Sequence, residues 1–182
     1  MNLPNTLSVL RIGLSPVFVF LFLSDSAFLV QLSFFVFTAA AVTDWYDGWY
    51  ARKYGFKTRW GQFIDPLADK ILTSCAFLSF YILNKNQPGY FGYNEFVPIG
   101  FLVTVIISRD IILTGMRSYK ELKGIEFRTS MISKVKTFIQ MSYIFLIIAL
   151  IFLKTVSPDL ELSVNKFLYS DLNYYLLLLI TA

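Results

Sequence analysis

Six apolar stretches recur along this chain, separated by short segments that hold most of its charged and turn-forming residues. Several of the stretches extend toward the roughly 20 residues that a helix needs to cross a bilayer. The pattern predicts an all-α integral membrane protein, a bundle of six transmembrane helices in a single domain over residues 1–182. The stretches lie at residues 12–23, 27–43, 71–83, 96–115, 137–153 and 172–182.

The two ends of the chain need separate interpretation. No convincing small-residue cleavage site follows residues 12–23, so the first stretch is not a cleavable signal peptide. We expect the residues before it, Met1 to Arg11, to form an amphipathic helix at the membrane interface. The last stretch is short for a full crossing. Its helix is therefore expected to begin near Lys166 or Tyr169, unless the natural chain continues beyond Ala182.

Composition and charge placement support this reading and orient the bundle. Hydrophobic residues make up 56% of the chain and charged residues only 15%, which is far from the balance of a soluble domain. Lys and Arg concentrate in cytoplasmic loops, and only Lys85, Lys154 and Lys166 of the 16 basic residues fall on the opposite side of the predicted bundle. Both termini should therefore be cytoplasmic. The net charge of +4 then reflects a membrane surface, and we expect no nucleic-acid partner.

Four carboxylates stand out because they lie within strongly apolar sequence. Asp44 and Asp47 are three residues apart, and Asp65 and Asp69 are four apart, so each pair shares one face if its segment is helical. Two such faces could aim all four groups at one point. An all-oxygen cluster suits Mg²⁺ or Mn²⁺, and paired ions serve phosphoryl transfer. The alternative is that these acids cap helix starts or pair with neighbouring Lys and Arg side chains.

Missing residue types narrow the chemistry further. The chain has no histidine, and its single cysteine, Cys75, lies in an apolar stretch. This excludes Ser-His and Cys-His catalysis and the usual zinc ligand sets, and no phosphate-binding glycine loop is visible. An ion-coupled transporter is the alternative from another class, since such proteins also carry carboxylates within the membrane. The absence of an inverted repeat and the position of all four acids toward one face argue against it.

The spacing around the four acids resembles a known family signature. From Asp44 to Asp69 it reads Asp-x2-Asp-Gly-x2-Ala-Arg-x8-Gly-x3-Asp-x3-Asp. This resembles the complete signature of the CDP-alcohol phosphotransferase family, with none of its defining positions altered. The resemblance implies six transmembrane helices and a site for two divalent cations, Mg²⁺ or Mn²⁺. It also implies transfer of a substituted phosphate from a CDP-linked donor to an alcohol, with release of CMP.

The same resemblance implies a role for each position of the signature. Asp44, Asp47, Asp65 and Asp69 would hold the metals, and Asp69 would also take the proton from the acceptor hydroxyl. Small residues would let the nucleotide approach the backbone, although they also serve close helix packing in membranes. The residues implied for binding the CDP donor are Gly48, Ala51, Arg52, Thr58 and Gly61.

The flanking segments resemble those family members that join CDP-diacylglycerol to glycerol-3-phosphate. Arg109, Arg117 and Lys134 are the expected ligands of the acceptor phosphate, with Lys136 as a further base nearby. Asp110 departs from the pattern, because a Glu commonly follows the arginine there. Members that use phosphatidylglycerol as the acceptor often have Arg-Asp at this point, so both acceptors stay open. The alternative is that Arg109 forms a purely structural pair with Asp110 or Asp69. The resembling segments are 2–11, 65–70 and 133–137 with Gln140.

Location and assembly are also expectations from the resemblance. A mitochondrial relative would usually carry an Arg-rich leader before a segment such as Asn2 to Asn5, and none precedes it here. We therefore expect a bacterial inner membrane protein, surrounded by membrane lipid, whose active site faces the cytoplasm. A homodimer is expected because family members often form one.

Overall fold

A computed structural model describes residues 3–54, 59–91, 97–122 and 131–181 of the chain. Within these ranges the protein has seven α-helices and no β-strand, which confirms the all-helical prediction. The helices are α1 (Leu3–Phe22), α2 (Ala27–Tyr54), α3 (Arg59–Asn86), α4 (Ile99–Leu122), α5 (Met131–Val156), α6 (Pro158–Leu168) and α7 (Asp171–Thr181).

Four helices in the described ranges are long and apolar enough to cross a membrane, which supports integration into a bilayer. Helix α2, with 28 residues, is about 42 Å long at 1.5 Å per residue. It therefore exceeds the roughly 30 Å of bilayer hydrocarbon and has room for a polar end. The four apolar segments are Ala27–Asp47, Ile64–Asn86, Ile99–Met116 and Val135–Val156, and shorter ones cover Thr6–Phe22 and Asp171–Thr181.

Helices α1, α2 and α3 pack side by side and bring their polar ends together. Arg11 in the first half of α1 contacts Asp44 near the end of α2, and Phe18 farther along α1 packs on Phe37 with ring centroids 5.3 Å apart. These contacts show that α1 and α2 are antiparallel. Contacts between α1 and α3 advance in the same direction along both helices, so this pair is parallel. They join Ser8 to Asp65 and Phe22 to Phe80.

The first helix differs from the expected arrangement at its N-terminal half. Residues from Leu3 to Phe22 form one continuous helix, so the predicted interfacial segment is not a separate element. Ser8, Arg11 and Ser15 recur at spacings of three and four residues and are fully buried. This polar stripe lies against α2 and α3, because those helices supply the carboxylates with which Ser8 and Arg11 pair.

The last part of the chain also differs, because two helices replace the single sixth one. Helix α6, which the apolar pattern did not predict, begins after Ser157 with a proline in its first turn and Asp159 and Glu161 close behind. Helix α7 begins at Asp171, close to the predicted start near Tyr169. Residues farther along α6 and α7 contact residues nearer the start of α5, so α6 and α7 together run antiparallel to α5. They join Lys154 to Glu161, Tyr143 to Asn173 and Lys136 to Thr181.

Local polar groups stabilise the break between α6 and α7. The backbone N–H of Asn173 donates to Ser170 Oγ at 3.3 Å, as in a helix N-cap, and the Asn173 side-chain amide donates to the carbonyl of Leu168 at 3.0 Å. Tyr143 from α5 donates its hydroxyl to the Asn173 side-chain oxygen at 2.9 Å. These bonds satisfy groups that a helix break would otherwise leave unpaired in an apolar environment.

Candidate active site

The four aspartates of the signature lie at one end of the bundle, where α2 ends and α3 begins. Asp44 and Asp47 are on α2, and Asp65 and Asp69 are in the first half of α3. The charges of Asp47, Asp65 and Asp69 all act on the Asp44 carboxylate. The structure thus brings together the two helix faces that the spacing predicted.

Arg11 from α1 lies between the two aspartates of α2. Its Nη1 donates to Asp44 at 2.5 Å and its Nη2 to Asp47 at 2.7 Å. The Arg11 side chain is 0% exposed, whereas that of Asp44 is 41% exposed. One guanidinium therefore bridges two carboxylates from the inner side, while Asp44 stays reachable from outside.

Ser8, one turn before Arg11, reaches the third aspartate. Its hydroxyl donates to Asp65 at 2.5 Å, and Ser8 is fully buried. Helix α1 therefore contacts three of the four acids, although sequence analysis gave neither Ser8 nor Arg11 a role in the site. The spacing of Ser8 and Arg11 was the available signal. A serine and an arginine three residues apart lie on one face of a helix, and an arginine in an otherwise apolar helix is costly unless it is paired.

The fourth aspartate connects the acidic end to a second polar cluster. Lys70 Nζ lies 3.6 Å from Asp69 and 3.6 Å from Asp110 on α4. Asp110 is buried and also accepts a hydrogen bond from the Gln140 amide of α5 at 2.9 Å. Helices α3, α4 and α5 thus meet at a single carboxylate next to Asp69.

Arg109 belongs to the same cluster. Its Nη1 lies 3.3 Å from Asp110 Oδ1, so the structural pair considered from the sequence is present. The Arg109 side chain is nevertheless 33% exposed, and its charge acts on Lys136 of α5. Lys70, Arg109 and Lys136 therefore lie around Asp110, the buried acid of α4. This excess of positive charge suits a bound anion more than a closed ion pair.

The acidic end fits divalent cations by its donor chemistry. All four side chains are carboxylates, the ligands that Mg²⁺ and Mn²⁺ prefer, and Arg11 already stands between two of them as a cation would. Among the described side chains, Arg11 pairs with Asp44 and Asp47, and Lys70 pairs with Asp69. While Arg11 and Ser8 hold three of the acids, no three acidic groups in the described part of the chain surround one point closely enough to hold an ion.

Several residues predicted for the site lie outside the side chains that the structure describes. The backbones of Gly48, Ala51 and Arg52 continue α2, and Gly61 lies in the first turn of α3. Thr58 lies outside the described residues altogether. Among the acceptor candidates, Arg109 is described in full, whereas Arg117 and Lys134 are described only as backbone positions of α4 and α5.

Comparisons with known proteins agree on one family. The family model described as CDP-alcohol phosphatidyltransferase matches residues 1–170. A protein of Rickettsia typhi is 33% identical over 77% of this chain and 72% of its own length. One of Salmonella typhimurium is 34% identical over 77% and 72%, and one of Bacillus subtilis is 34% identical over 76% and 72%. Each of the three is named CDP-diacylglycerol–glycerol-3-phosphate 3-phosphatidyltransferase.

Proposed function

The chain belongs to the CDP-alcohol phosphatidyltransferase family, and from this membership we propose that it transfers the phosphatidyl group of CDP-diacylglycerol to glycerol-3-phosphate. The products are phosphatidylglycerophosphate and CMP. The observation that carries the proposal is the match to relatives of this name over about three quarters of the chain. A transporter is not supported, because family and relatives are transferases.

The reaction is a direct displacement at phosphorus. The acceptor hydroxyl oxygen forms a bond to the phosphorus nearer diacylglycerol, the bond from that phosphorus to the CMP oxygen breaks, and CMP leaves with the electron pair. Asp69 takes the proton of the hydroxyl as general base. Its side chain is 21% exposed, so an acceptor can approach it.

In this proposal Asp44, Asp47, Asp65 and Asp69 would hold two divalent cations, Mg²⁺ or Mn²⁺. Such ions would offset the charge on the donor pyrophosphate and stabilise the departing CMP. Gly48, Ala51, Arg52, Thr58 and Gly61 bind the CDP donor, as the family signature implies. The convergence of the acids on one end of the bundle supports this arrangement.

The acceptor phosphate binds at the Lys70, Arg109 and Lys136 cluster, with Arg117 and Lys134 as further ligands. Lys70 supports this placement because it lies 3.6 Å from Asp69 and places positive charge beside the proposed base. Phosphatidylglycerol also carries a phosphate, so charge alone would accept it as well. The names of the relatives favour glycerol-3-phosphate.

The chain crosses the membrane six times in one domain, with α6 and α7 as the sixth crossing and the acidic end in the cytoplasm. The positions of Lys and Arg support this orientation, and the bacterial relatives support an inner membrane location. A homodimer within the lipid bilayer completes the proposal.

The test is CMP release by the purified protein with CDP-diacylglycerol and Mg²⁺ or Mn²⁺. Glycerol-3-phosphate, phosphatidylglycerol, inositol and serine are compared as acceptors. Release with glycerol-3-phosphate alone is expected. Release with phosphatidylglycerol alone would reassign the acceptor, and no release with any acceptor would contradict the proposed reaction.

A further inference from the structure

Arg11 is a permanent positive charge in a fully enclosed position. A guanidinium does not lose its proton in proteins, and a buried charge is costly unless it is paired. The two partners of Arg11 are Asp44 and Asp47, each bound through a different terminal nitrogen. Its Nε is buried and has no hydrogen-bond partner within the described residues. The fixed part of the interaction is therefore the bridge between the two carboxylates.

The position of this bridge is unusual for an ordinary structural ion pair. Asp44 and Asp47 lie on adjacent turns of one helix, where two like charges at this spacing repel each other. Arg11 enters between them from another helix and offers one nitrogen to each. A guanidinium shared in this way fixes the distance between the two carboxylates, as a bridging cation would.

We propose that Arg11 is a positioning residue that takes the place of a cation between Asp44 and Asp47 in the metal-free protein. A divalent ion that binds these aspartates shares them with Arg11. This inference rests on the proposed metal site, because it makes Asp44 and Asp47 partners of both Arg11 and the divalent ion. It goes beyond that site in naming an internal competitor from α1.

The competition fixes the direction of the effect on metal binding. Arg11 stabilises the metal-free state, since it neutralises charge that the ion would otherwise neutralise. Removing it takes a fixed positive charge from between two close carboxylates, so the metal-free state is weakened more than the metal-bound state. Metal affinity therefore rises when Arg11 is lost, by about tenfold, which is within the range that coupled binding events commonly show.

The experiment is an Mn²⁺ titration of the chelator-stripped, purified protein in detergent, followed by the free-Mn²⁺ electron paramagnetic resonance signal. Thermal unfolding is measured in parallel with chelator and with Mn²⁺. The variants are Arg11→Gln and Arg11→Lys. Ser15→Ala is the matched control, because Ser15 is buried on the same face but donates only to the Arg11 carbonyl.

Arg11→Gln should lower the Mn²⁺ dissociation constant about tenfold and enlarge the rise in Tm that Mn²⁺ causes. Arg11→Lys should fall between Arg11→Gln and the unaltered protein, since an ammonium keeps the charge but not the planar fork. Ser15→Ala should leave the dissociation constant unchanged. The Lys variant keeps the test usable if Arg11→Gln does not fold.

Two results would overturn the inference, and they are distinguishable. If the unaltered protein binds Mn²⁺ and loss of Arg11 leaves the affinity unchanged or weakens it, Arg11 is only structural while the metal site stands. If the unaltered protein binds no Mn²⁺ and shows no Tm response, the proposed metal site fails, and the competitor role of Arg11 fails with it.

Discussion

At the scale of single residues, the acidic end contains side chains in two different environments. Asp47 is held under Arg11 and is almost fully buried, whereas Asp69 is partly exposed and borders Lys70. A group that must receive a proton from a substrate needs access. The partial exposure of Asp69 therefore agrees with its additional proposed role as the base.

Replacement of Asp69 by Asn should remove turnover while leaving donor binding largely intact. The amide keeps the size of the carboxylate but cannot accept the proton, so kcat should fall by about 100-fold or more. The measurement is CMP release alongside binding of CDP-diacylglycerol. Asp25→Asn, at an exposed position between α1 and α2, serves as the control. Near-normal turnover in Asp69→Asn would exclude Asp69 as the base.

Replacement of Arg109 by Ala should raise the KM for glycerol-3-phosphate about tenfold or more, because it removes a charged hydrogen-bond donor to the acceptor phosphate. The KM for CDP-diacylglycerol should change little. Lys85→Ala is the matched control, since Lys85 is an exposed base at the opposite end of α3. Equal effects of Arg109→Ala on both substrates would mean that Arg109 acts only through its pair with Asp110.

The four aspartates were predictable from the sequence, whereas their partners Ser8 and Arg11 on α1, and the pairing of Gln140 with Asp110, were not. Helical spacing within one local segment was enough to predict that the four acids share a cluster; they are Asp44, Asp47, Asp65 and Asp69. Ser8 reaches Asp65 across 57 positions of the chain, and Gln140 reaches Asp110 across 30. Local periodicity carries no information about which distant helix a polar face meets. The contacts of Arg11 with Asp44 and Asp47 therefore follow only from the packing of α1 against α2.

At the scale of helices, apolar patterning located the centres of the elements better than their ends. All six predicted stretches fall on or overlap described helices. The ends depend on polar contacts instead, as at the Ser170 cap that separates α6 from α7. Helix α6 escaped prediction because it mixes charged and apolar residues over only 11 positions. Its Ser-Pro-Asp start was the available signal.

Two glycines of α4 should respond oppositely to replacement by Ala. A Cβ at Gly100 would lie 2.8 Å from the Tyr81 ring on α3. A Cβ at Gly115 would have no described atom within 4 Å, apart from its chain neighbours and the backbone of its own helix. Gly100→Ala should therefore destabilise the α3 and α4 contact by about 1 kcal/mol or more. Gly115→Ala should be neutral or stabilising by up to about 1 kcal/mol, since Ala favours helix.

Thermal unfolding of both variants in the same detergent checks this pair of outcomes. The difference between the two variants is the informative quantity, because both make the same chemical change in the same helix. A lower Tm for Gly115→Ala than for Gly100→Ala would contradict the close approach of α3 and α4 at Tyr81.

At the scale of the whole molecule, antiparallel packing gathers the ion pairs among the described parts of α1 to α5 at one end. Asp44, Asp65, Asp110 and Gln140 come from different helices yet belong to the same end of the bundle. The fold class and this alternation followed from the sequence, because membrane crossings must reverse direction. The continuity of α1 did not follow, since residues 1–11 are polar enough to suit an interface. Only the burial of Ser8 and Arg11 against α2 and α3 shows where this segment lies.

Cysteine labelling should divide the molecule into two sides. In a Cys75→Ser background, Ser26→Cys and Lys85→Cys should react with a membrane-impermeant maleimide in intact cells, since both positions are exposed at the end away from the acids. Lys53→Cys, exposed at the end of α2, should react only after permeabilisation. Reaction of Lys53→Cys from outside would invert the proposed orientation.

The polar stripe of α1 has a consequence for biogenesis. An Arg within a lone transmembrane helix is costly unless it is paired. The partners of Arg11 are made later, because 33 positions separate Arg11 from Asp44. We expect α1 to remain near the interface or the insertion machinery until α2 arrives, and the two to enter lipid as a hairpin. Site-specific crosslinking of arrested nascent chains would show this as prolonged contact of α1 with the insertion machinery, shortened by Arg11→Leu.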